Sequence, residues 1–290
     1  MGRSAGHGHR GCGGRLPQRD GHVRRGGSLG RDERASRVNS LRHAFGFLTI
    51  LPVTPAGEPP GSAARAWFPF VGLALGAALV GLDAAAREGL PPIVIGALLL
   101  CALLILTRAL HAEGFLDCCD GLFGGYSAEE RLRILRDTHV GAFAVIGGTA
   151  LIAAKWSLLA STPDEARVGL LLVFPCLSRF GMLLTMAAFP YTRAQGVGTS
   201  LQQDGRTWHV AVGVITAVLA SVVFLGPGGL VLLGAVSVAA LGLGRWLVGK
   251  LGGMTGDGYG AVNELGEVLA LLLGIALVPA LPDLFEMRIW

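Results

Sequence analysis

Residues 92–120 read PIVIGALLLCALLILTRALHAEGFLDCCD, an apolar run of membrane-spanning length that ends in a row of acidic residues. Glu113, Asp117 and Asp120 are spaced i, i+4 and i+7, which places three carboxylates on one face of a helix. Like charges repel there, and desolvation near a membrane adds to the cost unless a cation shares them. All-oxygen ligands favour Mg²⁺ or Mn²⁺ over zinc, and Mg²⁺ on a few carboxylates usually also binds phosphate. This stretch is therefore the first candidate for a reaction centre.

The whole chain has the composition of a polytopic membrane protein. Of its 290 residues, 52% are hydrophobic and 15% are charged, whereas an ordinary soluble domain has about 25% charged residues. The net charge of +4 comes from residues 1–37, which hold nine of the 24 basic residues and three of the 20 acidic ones. The remaining chain is slightly acidic, so binding to nucleic acid is not expected. Five cysteines without a CxxC pair indicate neither a disulfide framework nor a zinc site.

Apolar runs of about 20 residues, the length that crosses a bilayer, predict an all-α integral membrane bundle of about seven spans. The predicted spans are 66–82, 92–110, 141–160, 167–189, 208–226, 229–248 and 259–280. A shorter apolar piece at 44–53 is predicted to be interfacial or re-entrant.

Residues 1–37 are rich in Gly, Arg, His and Ser and lack the apolar segment of a secretory signal. We expect a disordered basic tail or an over-long gene model here, because this composition cannot build a core. Val38 is then an alternative start, and residues 38–290 form the integral membrane catalytic domain. The other interpretation is a basic arm that contacts anionic lipid.

Basic residues near the span ends predict the orientation in the membrane. One side holds Arg65, Arg131, Arg133, Arg136, Arg193, Arg206, Arg245 and Lys250, and the other holds Arg87, Arg167 and Arg288. The richer side is expected to be cytoplasmic. Three polar segments, 111–137, 191–206 and 252–267, then share that face and can together form one site.

A second acidic segment resembles the first in its spacing. Asp257, Glu264 and Glu267 lie at i, i+7 and i+10, again on one helical stripe, among glycines that allow close approach. Ionisable residues at the start of a span are functional candidates. The alternative is an Asp257 that caps the helix and glutamates that reach the interface.

Several other residues each have two interpretations. Asp137 is either a further metal ligand or the i, i+4 salt-bridge partner of Arg133, and Arg133 and Arg136 are candidate phosphate contacts. His111 is either a general base or a polar residue at a span end.

Arg193 is a candidate phosphate clamp, because its planar fork suits phosphate oxygens, or a positive-inside anchor. Lys155 and Arg179 lie inside predicted spans, so each should face the bundle interior or a polar cavity.

Four ordered blocks of the chain resemble a known family. The pair HAEGFLDCCDGLFGG (111–125) and RLRILRDTHVGAFA (131–144) resembles the signature of the adenosylcobinamide-GDP ribazoletransferase, or cobalamin synthase, family. The resemblance extends to RAWFPFVGLALG (65–76), FPYTRAQGVG (189–198) and GGMTGDGYGAVNELGEVLALL (252–272), and covers roughly residues 41–280. Glu113 stands where the family usually has Asp, and Gly258 where Thr or a similar residue is usual.

The resemblance implies transfer of the adenosylcobinamide-phosphate moiety of adenosylcobinamide-GDP to α-ribazole or its 5′-phosphate, with release of GMP. This is a late step of cobalamin biosynthesis, at the cytoplasmic face of the cell membrane, with Mg²⁺ as cofactor and membrane lipid as a partner. The oligomeric state is left open.

We assign site residues on that basis. The metal ligands are Glu113, Asp117, Asp120 and Asp137, with Asp257 and Glu264 as a second cluster. The catalytic residues are His111, Asp117 and Asp120, with His111 as base. The substrate contacts are Arg133, Arg136, Arg193 and Lys155.

Three other classes of membrane protein are alternatives. CDP-alcohol phosphotransferases have a DGxxAR motif, but here LFGG follows Asp120-Gly121. Membrane prenyltransferases, which use two Asp-rich motifs on one face, are the nearest enzymatic alternative. A transporter would carry its acids near the bilayer midplane and show repeat symmetry between its halves.

Overall fold

The computed structural model describes residues 29–54, 61–192, 197–202 and 207–285, without the side chains of 29–37 and 197–199. All regular elements in these ranges are helices, so the all-α prediction is confirmed. The helices are α1 Leu29–Leu48, α2 Phe68–Ala86, α3 Pro92–Leu106, α4 Leu110–Gly124, α5 Ala128–Ile134, α6 Ala142–Ala160, α7 Arg167–Ala188, α8 Val197–Gln202, α9 Thr207–Leu251 and α10 Gly256–Ala280. Short 3₁₀ helices lie at Ser62–Trp67, Asp164–Ala166 and Pro282–Leu284.

Helix α1 crosses the predicted start of the catalytic domain. It begins at Leu29, before the boundary at Val38, and it ends at Leu48 within the apolar piece 44–53. That piece is therefore the end of a longer helix followed by irregular chain. The division of the chain at Val38 stays a prediction.

Helix α7 is the centre of the bundle. Helices α2, α9 and α10 all pack against it, and most of its residues are buried. A helix that is apolar around its whole circumference has to be covered, by a protein core or by lipid, and neighbouring helices cover most of α7. Its central position explains why the few charged residues on α7 must find partners inside the protein.

Helix α9 is two antiparallel arms joined at Gly226. The backbone of Gly226 has φ 60° and ψ −154°, a conformation that glycine adopts readily, and Pro227 follows. The two arms contact α7 in opposite directions. In the first arm, Gly213 contacts Leu183 and Phe224 contacts Gly169, so this arm runs antiparallel to α7. In the second arm, Ala240 contacts Gly181 and Gly244 contacts Thr185, so this arm runs parallel to α7. The 45 residues of α9, about 67 Å if straight, thus form a hairpin whose arms match the predicted spans 208–226 and 229–248.

The predicted span 92–110 contains a break near its end. Helix α3 ends at Leu106, and α4 leaves at an angle of 91°. The hydroxyl of Thr107 bonds back to the Leu103 carbonyl at 2.8 Å, and Arg108 and Ala109 adopt left-handed φ values of 54° and 52°. These two residues are strained and stop the helix. The turn directs the acidic helix α4 across the bundle instead of onward through it.

Among the described residues, length and composition allow five helices to cross a membrane, or six if the bent pair of α3 and α4 counts as one span. This count treats α9 as one span, whereas the seven predicted spans include each of its two arms separately. The chain is thus a multi-pass membrane protein in either case.

Candidate active site

Helices α4 and α10 pack backbone to backbone, and this brings the two acidic segments together. A Cβ at Gly114 would lie 2.9 Å from the Cα of Asp257, and one at Gly260 would lie 2.8 Å from the carbonyl oxygen of His111. No side chain other than hydrogen fits at either position without a shift of the backbone. The two helices can therefore approach closely only because both positions are glycine.

The third polar segment is tied to the start of α10. The Met254 N–H donates to the Pro190 carbonyl, and the Thr192 N–H donates to the Met254 carbonyl, both at 2.8 Å. The rings of Tyr191 and Tyr259 stack with centroids 6.2 Å apart. The three segments predicted to share one face thus meet. Arg193, the predicted phosphate clamp, lies outside the described residues.

Three acids form what we call the mouth site: Glu113, Asp117 and Asp257. Asp117 lies one turn after Gly114, the residue that touches Asp257, and both aspartates act electrostatically on the buried thiol of Cys118. Both are half-buried, whereas Glu113 is exposed. Asp257 also lies in the first turn of α10, where the helix dipole favours a negative charge. Two half-buried aspartates from different helices therefore both lie near Cys118.

Asp120 has a structural contact that the sequence did not reveal. Its carboxylate accepts the backbone N–H of Gly141 at 2.7 Å and that of Ala144 at 2.9 Å, at the start of α6. This is the geometry of a helix N-cap supplied from a distant part of the chain. No local pattern signals it, because the partners are 21 and 24 residues away. The metal and catalytic roles of Asp120 stay predictions.

Asp137 is paired with His139 rather than with Arg133. Its Oδ1 lies 2.6 Å from His139 Nδ1 and accepts the His139 N–H at 3.1 Å. The hydrogen bond from the His139 side chain holds the pKa of Asp137 below its usual value. Arg133 and Arg136 are exposed on the same segment. Metal ligation by Asp137 and phosphate contacts by the two arginines stay predictions.

Four charged side chains form what we call the interior network: Lys155, Arg179, Glu264 and Glu267. Lys155 Nζ lies 2.7 Å from Glu264 Oε2 and 2.5 Å from Glu267 Oε2, and Arg179 Nη1 lies 2.7 Å from Glu267 Oε1. The expectation that Lys155 and Arg179 face the interior is confirmed, since they are 1% and 0% exposed. Substrate contact by Lys155, or metal ligation through Glu264 Oε2, would require these ion pairs to break. Both roles stay untested predictions.

The candidate base, His111, is buried beside the interior network. It is 3% exposed, and neither ring nitrogen has a hydrogen-bond partner among the described residues. Arg179, Glu267 and Lys155 all lie within electrostatic range of its ring. Its role as base stays a prediction.

The donor chemistry of the mouth site fits Mg²⁺. Within the described ranges, no three His, Cys, Asp or Glu side chains form a ready metal cage. Mg²⁺ rarely uses such a cage, since one or two carboxylates commonly hold it together with water and substrate phosphates. Asp117 and Asp257, with Glu113 near them, supply hard oxygen donors of this kind.

Comparisons with known proteins identify relatives over most of the chain. A family model described as Cobalamin-5-phosphate synthase matches residues 40–276. A protein of Chlorobaculum parvum is 35% identical over 237 residues, which cover 80% of this chain and 92% of that protein. Proteins of Chlorobaculum tepidum and Bradyrhizobium diazoefficiens are 37% and 36% identical, over 81% and 82% of this chain and 94% of each relative. All three are named adenosylcobinamide-GDP ribazoletransferase. No solved structure shows significant similarity to this chain.

Proposed function

This chain belongs to the Cobalamin-5-phosphate synthase family, and we propose that it is a membrane-embedded adenosylcobinamide-GDP ribazoletransferase. The observation that carries the proposal is the glycine contact between α4 and α10, which brings the backbone of Asp257 against Gly114, one turn before Asp117. The substrates are adenosylcobinamide-GDP and α-ribazole or its 5′-phosphate. The prenyltransferase and transporter alternatives lose their support, because the relatives found carry the ribazoletransferase name.

The reaction is an attack by a ribose hydroxyl of the acceptor on the phosphorus that bears the cobinamide. A new P–O bond forms, the pyrophosphate P–O bond breaks, and GMP leaves with the electron pair of that bond. The hydroxyl proton must pass to a base. Such a transfer is accelerated mainly by positioning and by neutralising the charge on phosphate oxygens.

The mouth site is suited to this chemistry. Bound Mg²⁺ would neutralise phosphate charge and orient the pyrophosphate. Asp117 and Asp257 would hold it, with Glu113 reaching in from the exposed edge. For the hydroxyl proton, Asp117 is better placed than His111, because its carboxylate is half-buried at the surface whereas the His111 ring is closed off from solvent.

We assign the mouth site to the cytoplasmic side of the membrane. The predicted cytoplasmic segments carry eight basic residues against three on the other side, the bias that the positive-inside rule describes. The pyrophosphate of adenosylcobinamide-GDP is charged and does not cross a bilayer unaided.

The test is an assay of purified protein in detergent with adenosylcobinamide-GDP and α-ribazole, with and without Mg²⁺. We expect GMP and adenosylcobalamin in equal amounts, only when acceptor and Mg²⁺ are both present. GMP release without an acceptor would show a hydrolase instead. Full turnover in the presence of a strong chelator would remove Mg²⁺ from the proposal.

A further inference from the structure

Tyr191, which no spacing pattern in the sequence indicates as a site residue, lies next to the start of α10. Its ring stacks on the ring of Tyr259, with centroids 6.2 Å apart and an angle of 8° between the two planes. Tyr259 is 3% exposed, whereas Tyr191 is only partly buried. The stack therefore has one member in the interior and one member that reaches the protein surface.

The backbone on both sides of Tyr191 is fixed to the turn that precedes α10. The Pro190 carbonyl accepts the Met254 N–H, and the Thr192 N–H donates to the Met254 carbonyl. The packing is close, since a Cβ at Gly253 would lie 2.5 Å from the Thr192 hydroxyl oxygen and 3.1 Å from the Pro190 carbonyl oxygen. Two backbone hydrogen bonds and a ring stack thus hold the Tyr191 side chain in a fixed position.

The hydroxyl of Tyr191 lies beside the first residue of α10, Gly256. A Cβ at Gly256 would lie 4.0 Å from Tyr191 Oη, and apart from the neighbouring backbone no other atom of the described residues is that near. Gly256 is exposed, and Asp257 of the mouth site follows it directly. The hydroxyl therefore borders the mouth site at a point where a glycine leaves room for a ligand.

We propose that Tyr191 is a catalytic residue, whose hydroxyl donates a hydrogen bond to a phosphate oxygen of the donor substrate. The inference rests on the proposed function, in which the pyrophosphate of adenosylcobinamide-GDP lies at the mouth site. Donors that are already fixed in place stabilise developing charge on phosphate oxygens without any reorganisation during the reaction. A hydrogen bond to an ionised acceptor is also stronger than one between neutral groups. The phenol keeps its proton throughout, so this role is separate from that of the base.

The first test is Tyr191→Phe, which keeps the ring and its stack and removes only the hydroxyl. Loss of a hydrogen bond to a charged phosphate should lower kcat/KM for adenosylcobinamide-GDP about 10-fold or more. The loss should be equal with α-ribazole and with its 5′-phosphate, because the contact is to the donor substrate. The thermal midpoint in detergent should not change. Titration of adenosylcobinamide-GDP with Mg²⁺ but without acceptor should show weaker binding, and wild-type values of kcat/KM would overturn the proposal.

Tyr259→Phe is the matched control, because it removes the other hydroxyl of the same stack. That hydroxyl accepts a hydrogen bond from Gln202 Nε2 at 2.9 Å. The variant should lower the thermal midpoint and leave kcat/KM within about 3-fold of wild type. A loss of kcat/KM as large as that of Tyr191→Phe, at equal folded fraction, would assign the effect to the stack as a whole and contradict a specific role of the Tyr191 hydroxyl.

A second variant, Gly256→Ala, tests the space in front of the hydroxyl. The added methyl group meets Tyr191 Oη at an ordinary van der Waals distance, and alanine is favoured over glycine in a helix, so stability should be equal or higher. The methyl group would nevertheless occupy the place of the ligand, and kcat/KM should fall about 10-fold or more. Gly249→Ala is the control, since a Cβ at that exposed glycine meets no described atom within 4 Å. Wild-type kcat/KM in Gly256→Ala would contradict the proposal.

The role of Tyr191 and the proposed function can fail separately. GMP release by wild type at a rate that Tyr191→Phe does not alter would overturn only the role of Tyr191. If wild type released no GMP from adenosylcobinamide-GDP with either acceptor, the proposed function would be wrong, and the role of Tyr191 that rests on it would be wrong too.

Discussion

The two ends of the acidic stripe on α10 have opposite surroundings. Asp257 is half-buried at the start of α10, where its backbone meets Gly114 of α4, one turn before Asp117. Glu264 and Glu267 lie in the interior and meet Lys155 of α6 and Arg179 of α7. Two cations and two carboxylates balance there. The same helical spacing thus serves two purposes, and the neighbouring helices decide which.

The two ends of this stripe differ in what they can bind. Asp117 and Asp257 are half-buried, so a metal ion and a phosphate can reach them from water. Carboxylates matched to buried cations already have their counter-charges, and separating such a pair is costly. On the proposed function the reaction takes place at the mouth site, and we propose that the interior network holds α6, α7 and α10 together.

The largest expected effect comes from removing charge at the mouth site. Asp117→Asn and Asp257→Asn keep the shape of each side chain but lose a metal ligand, so each should lower GMP release at least about 100-fold. The thermal midpoint in detergent should change little. The assay is initial-rate GMP release at several Mg²⁺ concentrations, for equal amounts of folded protein.

Glu129→Gln is the control for these two variants, because it removes an exposed carboxylate on α5. It should retain wild-type turnover. If either aspartate variant kept both the wild-type rate and the wild-type Mg²⁺ dependence, that aspartate would not be a metal ligand.

Substitutions in the interior network should mainly lower the stability of the protein. Lys155→Met leaves Glu264 without its cation, and breaking a buried pair in this way costs about 3–5 kcal/mol. We expect a thermal midpoint lower by about 10 °C or more, measured on purified protein in detergent.

A double variant tells charge imbalance from lost packing. Lys155→Met with Glu264→Gln removes one charge of each sign, so it should recover part of the lost stability. A double variant no more stable than Lys155→Met would show that the ion pair is not what the network contributes.

Substitution of Asp120 should have a smaller effect, and it should lower stability as well as turnover. In Asp120→Asn one carboxylate oxygen becomes an amide nitrogen, which cannot accept the N–H of Gly141 or Ala144. Loss of a helix cap costs about 1 kcal/mol, so the thermal midpoint should fall by a few degrees, unlike that of Asp117→Asn. If Asp120→Asn lost turnover at unchanged stability, its metal role would outweigh its capping role.

The tail should have the smallest effect. Deletion of residues 1–37 removes none of the family blocks and no residue of the mouth site or the interior network. A chain that starts at Val38 should insert in the membrane and release GMP at the wild-type rate. A large loss of activity at equal abundance in the membrane would assign a function to the basic tail.

Features of the fold that depend on local pattern could be predicted from the sequence. Apolar runs predicted the helical bundle, and the two runs around Gly226 predicted both arms of α9. Acid spacing and orientation predicted that three polar segments meet. These features depend on neighbours along the chain, which a sequence displays directly.

The features that the sequence did not reveal depend on distant partners. The break at Thr107 is fixed by left-handed backbone at Arg108 and Ala109, residues with no turn signal of their own. The cap that Asp120 gives to α6 and the pairing of Lys155 with Glu264 join helices far apart in the chain. Spacing alone could not distinguish Asp257 from Glu264, because the cation that pairs with Glu264, Lys155, lies on a different helix far away in the chain.

Metal binding tests that distinction most directly. Mn²⁺, which can replace Mg²⁺ at oxygen ligands and is visible by electron paramagnetic resonance, is titrated into protein with adenosylcobinamide-GDP but without acceptor. We predict that Asp117→Asn and Asp257→Asn weaken Mn²⁺ binding at least about 10-fold, whereas Glu264→Gln binds as tightly as wild type. Equal weakening in Glu264→Gln, at unchanged folded fraction, would contradict the division of the stripe into a mouth site and an interior network.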